Sequence, residues 1–341
     1  MGRQGGLLLL SCSAMSAPVQ PISVSFAAAA NRIAGVVRRT PLEATDLGSQ
    51  LGGDVDLRLK LECLQETGSF KVRGAWNQLA QLTPAQRAAG VVTTSSGNHG
   101  RALAWAARRA GVPATICMPA DAYPNKIEAC RALGADVRLG ATRTGTDAIA
   151  TELAAEGMTL IHPYDDPRTF EGAGTVGREI AEDWSDVEAV VLPIGGGGLI
   201  SGCALALRDM LGDDVRIIGV EPFGAPTMTR ALEAGAPVTL EQISTDVQGL
   251  CPPNVGEINR QVVERNVDAV VLVEDGEVFD AQRVLVNELG HTVEPAGAAT
   301  LAAWRSGRLA ESLAGLVNVA LVVSGGNPAP DQLAEIRGGR A

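Results

Sequence analysis

From about residue 90 onward, short runs of β-branched and aliphatic residues alternate with alanine-rich stretches, with little chain between them. "GVVTTS" reads as a strand, and "NHGRALAWAARRAG" as a helix with apolar residues three and four apart. "PATICMP" and "ADVRL" read as strands, "YPNKIEACRALG" and "GTDAIATELAAEG" as helices. The rhythm resumes with the strand "VEAVVLPI", the helix "GLISGCALALRDML" and the strand "VRIIGVEP". It closes with "VNVALVVSGGN", a buried strand. Strands alternating with helices over short connections imply parallel βαβ units, so the expected fold is α/β. At 341 residues the chain exceeds one typical domain and suits two compact lobes.

One segment breaks the pattern. In "DVDLRLKLE", residues 54–62, Val55, Leu57, Leu59 and Leu61 alternate with Asp56, Arg58, Lys60 and Glu62. That is a strand with one wet face, so Lys60 is expected to be solvated. Lys126, in the first turn of a helix after Pro124, is expected to be solvated too. These two and Lys71 are the only lysines among 28 Lys and Arg residues. Lys71, between Phe70 and Val72 in "GSFKVRGA", continues no alternation.

Composition narrows the function. A hydrophobic content of 46% with 20% charged residues describes a globular chain with ample core material. The net charge of −11 argues against nucleic-acid binding, which needs a basic face, and disfavours anionic membrane surfaces. No run approaches the ~20 apolar residues of a membrane span. The six cysteines (Cys12, Cys63, Cys117, Cys130, Cys203, Cys251) form no C-x-x-C pair and mostly sit in apolar runs. Buried, reduced thiols in a cytoplasmic protein are expected. "MGRQGGLLLLSCSA" resembles a lipoprotein signal superficially, but its apolar core is shorter than the usual h-region of about 7–15 residues. Residues 1–20 are therefore expected to be a disordered leader.

Four segments end an element with residues capable of chemistry. Lys71 stands at a helix start, where the dipole favours the neutral amine that a Schiff base needs; an ordinary helix-terminal lysine is the alternative. "TTSSGNHGRA" carries the strand "VVTT" into Ser95, Ser96 and Gly97 before a helix opens near Asn98 or His99. Free N–H groups and two hydroxyls there suit a carboxylate, or else merely cap the helix. "PIGGGGLISG" delivers Gly195, Gly196, Gly197 and Gly198 to a helix start, where bare backbone can wrap a phosphate. The spacing fits neither G-x-G-x-x-G nor G-x-x-x-x-G-K-[ST], so amides alone would hold that phosphate, as suits a cofactor; a flexible turn is the alternative. "VVSGGN" ends a buried strand in Ser324, a neutral partner for a ring nitrogen. An amine, a phosphate cradle, a carboxylate loop and a ring-nitrogen partner together describe pyridoxal 5'-phosphate.

From about residue 25 to 330 the chain resembles the threonine dehydratase and serine racemase group of fold type II pyridoxal-phosphate enzymes. The segments that carry the resemblance are "RRTPL", "SFKVRGA", "SSGNHG", "GGGGL", "VEPAGA" and "SGGN", in family order. It implies two open, twisted α/β lobes with the cofactor in the cleft. The implied division is a large cofactor-binding domain at 21–65 and 163–341 and a small substrate-loop domain at 66–162. By similarity Lys71 is joined to the cofactor and is the general base, Phe70 packs on the ring, and Asn98 meets the ring hydroxyl. Gly195 to Gly198 hold the phosphate, Ser324 meets the ring nitrogen, and Ser95, Ser96, Asn98 and His99 hold the substrate carboxylate.

The implied reaction is elimination of water from a 3-hydroxy amino acid such as L-threonine or L-serine, giving a 2-oxo acid and ammonia. Racemisation, or a hydroxyaspartate-type dehydratase, is the alternative. Ser96 matters here, because in racemases of the group this serine is the acid on the face opposite the lysine. A sulfhydrylase is disfavoured, since those resemble "SGNTG" where this chain has His99.

Three departures from the family stand out. Glu221 and Ala225 match a divalent-metal site of the group, but Thr227 replaces its acid. Arg101 replaces the usual glutamine after "SGNHG". Cys251, Pro252 and Pro253 make an unusual loop that could line the side-chain pocket. His291, in "GHTVEPAGA", is expected to be structural. Only 14 residues follow "SGGN", so no isoleucine feedback is expected. The resemblance also implies a homodimer acting on a small amino-acid substrate.

Overall fold

The computed structural model describes residues 7–9, 22–51 and 55–338. Eleven strands are found among them: β1 (Leu7–Leu9), β2 (Leu42–Thr45), β3 (Asp56–Leu61), β4 (Val91–Thr94), β5 (Ala114–Pro119), β6 (Asp136–Gly140), β7 (Thr159–Leu160), β8 (Ala189–Pro193), β9 (Arg216–Pro222), β10 (Ala269–Val273) and β11 (Asn318–Val323). They form a seven-stranded sheet in the order β1-β10-β9-β8-β11-β3-β2 and a four-stranded sheet in the order β6-β5-β4-β7. Every pairing is parallel except at the two edges of the larger sheet, where β1 and β2 run antiparallel to their neighbours. The α/β expectation holds, and the smaller sheet is built wholly from residues 91–160.

Continuous apolar runs are required because the larger sheet is covered on both faces. In β11, Val319, Leu321 and Val323 enter one core, and Ala320 and Val322 the other. In β8, Ala189 and Val191 point one way, and Val190 and Leu192 the other. A third core lies on the smaller sheet, where Val72, Ala75 and Leu79 of the helix Lys71–Leu79 meet Val91, Leu103 and Ile116.

The wet-face reading of β3 fails at one end. Leu57, Leu59 and Leu61 enter the core as expected, and Asp56 and Arg58 stay partly exposed. Lys60 is fully buried, and so is Glu62 just beyond. The helix Thr175–Asp183 covers that end of the face and supplies Glu179. Lys60 Nζ donates to Glu179 Oε2 at 2.6 Å and to the Thr40 carbonyl at 2.7 Å. Arg73 donates in a fork to Glu62 and also to both oxygens of Glu179. Burial is the largest single influence on the Glu62 carboxyl and pushes it up, but the charge and hydrogen bonds of Arg73, the Lys60 charge and the Thr40 hydroxyl together hold it below the ordinary value. Lys126 is partly buried, its ammonium donating to Gln248 Oε1 at 3.0 Å.

Leu7–Leu9, expected inside a disordered leader, instead pairs as an edge strand with Ala269–Val271. An open sheet edge offers unpaired backbone groups with which such a run can bond. The rest of the expected leader, including Cys12, lies outside the described residues. Cys63, Cys117, Cys130 and Cys203 are buried and unpaired, and burial pushes the Cys203 thiol up to about 12. Cys251 is only half-buried. No helix among the described residues is long and apolar enough to cross a membrane.

Candidate active site

Lys71 opens its helix, with Phe70 before it. Its Nζ donates to the Pro163 carbonyl at 2.9 Å and lies 5.1 Å from the Phe70 ring centroid. Burial pulls its pKa down to about 8, while the charge of Glu294 pulls the other way. Burial, rather than the helix dipole invoked above, is therefore the main cause of the easily neutralised amine. The preceding turn is pinned to the strand-end segment 324–327: Phe70 N donates to the Ser324 carbonyl at 3.2 Å, and Gly326 N to the Gly68 carbonyl at 2.7 Å. A side chain at Gly68, whose φ is +74°, would strike the Asn327 amide. Ser324 is buried, with its Oγ 3.4 Å from the Ala296 carbonyl.

The helix Asn98–Ala110 starts from Gly97 with no side-chain cap, which sets aside the helix-cap alternative. Its first-turn amides lack intrahelical acceptors and face the end of β4. Ser95 and Ser96 are half-buried beside them, and Ser95 Oγ accepts from Gly97 N at 3.2 Å. The His99 ring is turned inward: Nε2 meets the Ile161 carbonyl at 3.2 Å, and Nδ1 is buried without a partner. Burial, and then the Lys71 charge, depress its pKa to about 3. His99 can thus serve a carboxylate through its backbone N–H, not as a cation.

Gly195 to Gly198 run from β8 into the helix Gly198–Leu211, again without a side-chain cap, and Gly197 adopts φ +93°. This loop is packed from outside. A Cβ on Gly196 would enter the Tyr164 ring, and one on Gly197 would come within 2.8 Å of Asn259 Cβ. Asn259 Nδ2 donates to the Tyr164 and Gly196 carbonyls at 2.9 and 3.0 Å. Tyr164 follows Pro163, whose carbonyl holds Lys71, so amine and glycine loop flank one short segment. His162 steadies that segment, its Nδ1 accepting from the amides of Tyr164 and Asp165.

A cleft of about 450 Å³ opens beside the start of the helix Asn98–Ala110, lined among others by Gly97, Asn98, Lys126, Gln248, Glu294 and Asn327; Lys71 and Gly195–Gly198 lie outside its lining. A shallower groove beside the helix Thr227–Ala234, lined by Arg230, Glu233 and Leu240, carries none of the groups above. Glu294 is buried, accepts from Asn98 Nδ2 at 2.5 Å, and is pushed by burial up to about 7.

The residues expected at a divalent-metal site are otherwise engaged. Glu221 Oε1 accepts from Met228 N at 2.7 Å; its Oε2 accepts from Thr229 N at 2.9 Å and from Thr229 Oγ1 at 2.8 Å. Thr227 Oγ1 donates to the Pro252 carbonyl at 3.0 Å and lies 3.4 Å from the Ala225 carbonyl. One carboxylate already bonded to three donors does not fit a hard cation, which wants several free oxygens.

Residues 33–325 match the family described as pyridoxal-phosphate dependent enzyme. The chain belongs to the pyridoxal-phosphate-dependent enzyme family. It is 39% identical to an L-threonine ammonia-lyase of Thermotoga maritima over 86% of this chain and 72% of that one. It is also 39% identical to a phenylserine dehydratase of Ralstonia pickettii, over 84% and 87%. The maize serine racemase structure superposes with a TM-score of 0.86 at 35% identity, covering 91% of this chain and 94% of that one.

The residues present fit pyridoxal phosphate. A glycine loop and an uncapped helix start offer amides to a phosphate, and a buried lysine with pKa about 8 offers an amine to a carbonyl. Glu294 and Asn327 lie in the segments "VEPAGA" and "SGGN", whose sequence assigns neither of them a role. Tyr164, His162 and Asn259 were missed outright. An asparagine on an amphipathic helix carries no signal of its own, whereas Glu294 before a proline at a helix start could have been taken as a candidate.

Proposed function

We propose that this pyridoxal-phosphate-dependent enzyme is an ammonia-lyase that removes water from a 3-hydroxy amino acid. Loss of the Cα proton and the β-hydroxyl gives water and an enamine, which hydrolyses to a 2-oxo acid and ammonia. The observation that carries the reading is the Lys71 amine, with pKa about 8, near enough to His99 at the uncapped start of the helix Asn98–Ala110 for its charge to depress the imidazole. The relatives include two lyases, which supports elimination.

In this reading the Gly195–Gly198 amides would hold the cofactor phosphate, Phe70 the ring face, Asn98 the ring hydroxyl and Ser324 the ring nitrogen. The bound cofactor supplies an electron sink for charge developing at the substrate Cα. The amides of Asn98 and His99, with the hydroxyls of Ser95 and Ser96, would orient the substrate carboxylate so that its Cα–H faces Lys71. Lys71, largely deprotonated above pH 8, would take that proton. Ser96 keeps a second reading open: a hydroxyl returning a proton from the other side would make a racemase. Residues 66–162 would form the substrate-loop domain, 21–65 and 163–341 the cofactor-binding one. We place the enzyme in the cytoplasm as a homodimer; the buried free thiols suit a reducing compartment.

The test is oxo-acid release from L- and D-serine, L- and D-threonine, the 3-hydroxyaspartates and phenylserine, with chiral analysis of unreacted substrate. Fast oxo-acid formation from one of them, lowered by roughly a thousandfold in Lys71→Ala, is expected. Inverted amino acid outrunning oxo acid would replace the lyase reading with the racemase one.

A further inference from the structure

A line of side-chain hydrogen bonds runs from the protein surface to Asn98, and it has a direction. Arg101, exposed on the helix Asn98–Ala110, donates from Nη1 to Asn327 Oδ1 at 2.7 Å. Asn327 Nδ2 donates to Asn98 Oδ1 at 2.8 Å and to the Thr67 carbonyl at 2.9 Å. Asn98 Nδ2 donates to the buried Glu294 Oε1 at 2.5 Å. A carboxamide can turn over by half a rotation, exchanging donor and acceptor, so neighbours must choose its orientation. Here one end of the line is a guanidinium, which only donates, and the other is Glu294, which above about pH 7 is a carboxylate and only accepts. With the ends fixed, both amides between them have one satisfactory orientation, and the second Asn98 N–H is left to face the cleft.

We propose that Arg101, Asn327 and Glu294 are positioning residues that lock the Asn98 amide with its N–H toward the cofactor's ring oxygen. The proposal rests on the reading above that Asn98 meets that oxygen. It assigns a use to Arg101, which touches neither cofactor nor substrate in that reading. A neutral donor at the surface end would serve as well, so the lock depends on hydrogen-bond direction rather than on charge.

Reversing one end should turn the line around. In Arg101→Glu the new carboxylate can only accept, so Asn327 turns its N–H outward, gives up its bond to the Thr67 carbonyl and offers Asn98 an oxygen. Asn98 must then point its own oxygen at Glu294 or lose a bond. Arg101 is exposed, so the fold is not at risk. The measurements, made above about pH 8 so that Glu294 is ionised, are the dissociation constant of pyridoxal phosphate, read by titrating the apoprotein, and the visible absorption band of the bound cofactor. Arg101→Glu is expected to weaken binding about tenfold, the cost of one misdirected hydrogen bond, and to shift the band. Arg101→Gln and Arg101→Lys, which keep a donor, should match the unmodified protein.

A plain charge effect on an anionic cofactor is separated by repeating Arg101→Glu in an Asn327→Ala background. There the line is cut, so no further weakening is expected. Equal weakening with and without Asn327, or none in either, would overturn the proposal. Should Asn98→Ala itself leave binding and band untouched, the reading of Asn98 is what fails, and the lock with it.

Discussion

A lysine of ordinary pKa has fewer than about one in a thousand of its amines neutral at pH 7, whereas one near 8 has about a tenth. The second figure describes Lys71, and desolvation is its main cause, opposed by Glu294. Because the chain has only three lysines, a protein carrying carbon-labelled lysine should show the Lys71 signal of the apoprotein titrating at about pH 8. Glu294→Gln removes the opposing charge, so the midpoint should fall further; a rise would contradict the assigned cause. The linkage has a definite sign. Between about 8 and the ordinary value near 10.5 the unfolded chain binds the proton and the folded one does not, so stability climbs with pH across that window. Lys71 was legible because it broke a local pattern. Lys60 was misread because a period of two says which residues share a face, not what later covers it. Glu179, which pairs with Lys60, is 119 positions away in sequence.

At the scale of elements, helix starts fall into two sorts. The helices Asn98–Ala110 and Gly198–Leu211 begin on glycines without side-chain caps, leaving amides for ligands. The helix Thr227–Ala234 has its first-turn amides taken by Glu221, and Thr227 bonds the Pro252 carbonyl directly. Protein donors thus occupy the oxygens that a divalent ion would need. Prolonged dialysis against a chelator should leave oxo-acid release unchanged, and added magnesium should not raise it. Activity lost to the chelator and restored by the cation would show that these residues rearrange around an ion. The central strands and their helices were legible because burial on both faces demands long apolar runs. β7, with two residues, and the edge strand β2, with one exposed flank, have too few constrained positions to leave a periodic trace.

For the molecule as a whole, the question is what holds the lysine-bearing helix to the larger sheet. Part of the answer is a neutral cluster of two cations and two anions: Lys60 on β3, Glu62 just after it, Arg73 on the Lys71 helix and Glu179 on the helix Thr175–Asp183. Arg73 and Glu62 are wholly buried, so their attraction is unscreened but offset by the loss of hydration. Such a cluster adds little net stability while whole, yet removing one member strands a buried charge. Lys60→Met should therefore destabilise by ~3–5 kcal/mol in urea unfolding. Arg58→Met is the control two residues away on the same face. Arg58 is partly exposed, pairs with Asp56 and stacks on Trp184 at 3.9 Å. Its loss should cost only about 1 kcal/mol. Similar costs for the two would mean that the buried cluster relaxes or admits water when Lys60 goes. A large difference confined to Lys60 would identify the cluster as the joint between the Lys71 helix and the sheet. That joint fixes Lys71 relative to the strand ends that carry Gly195 and Ser324.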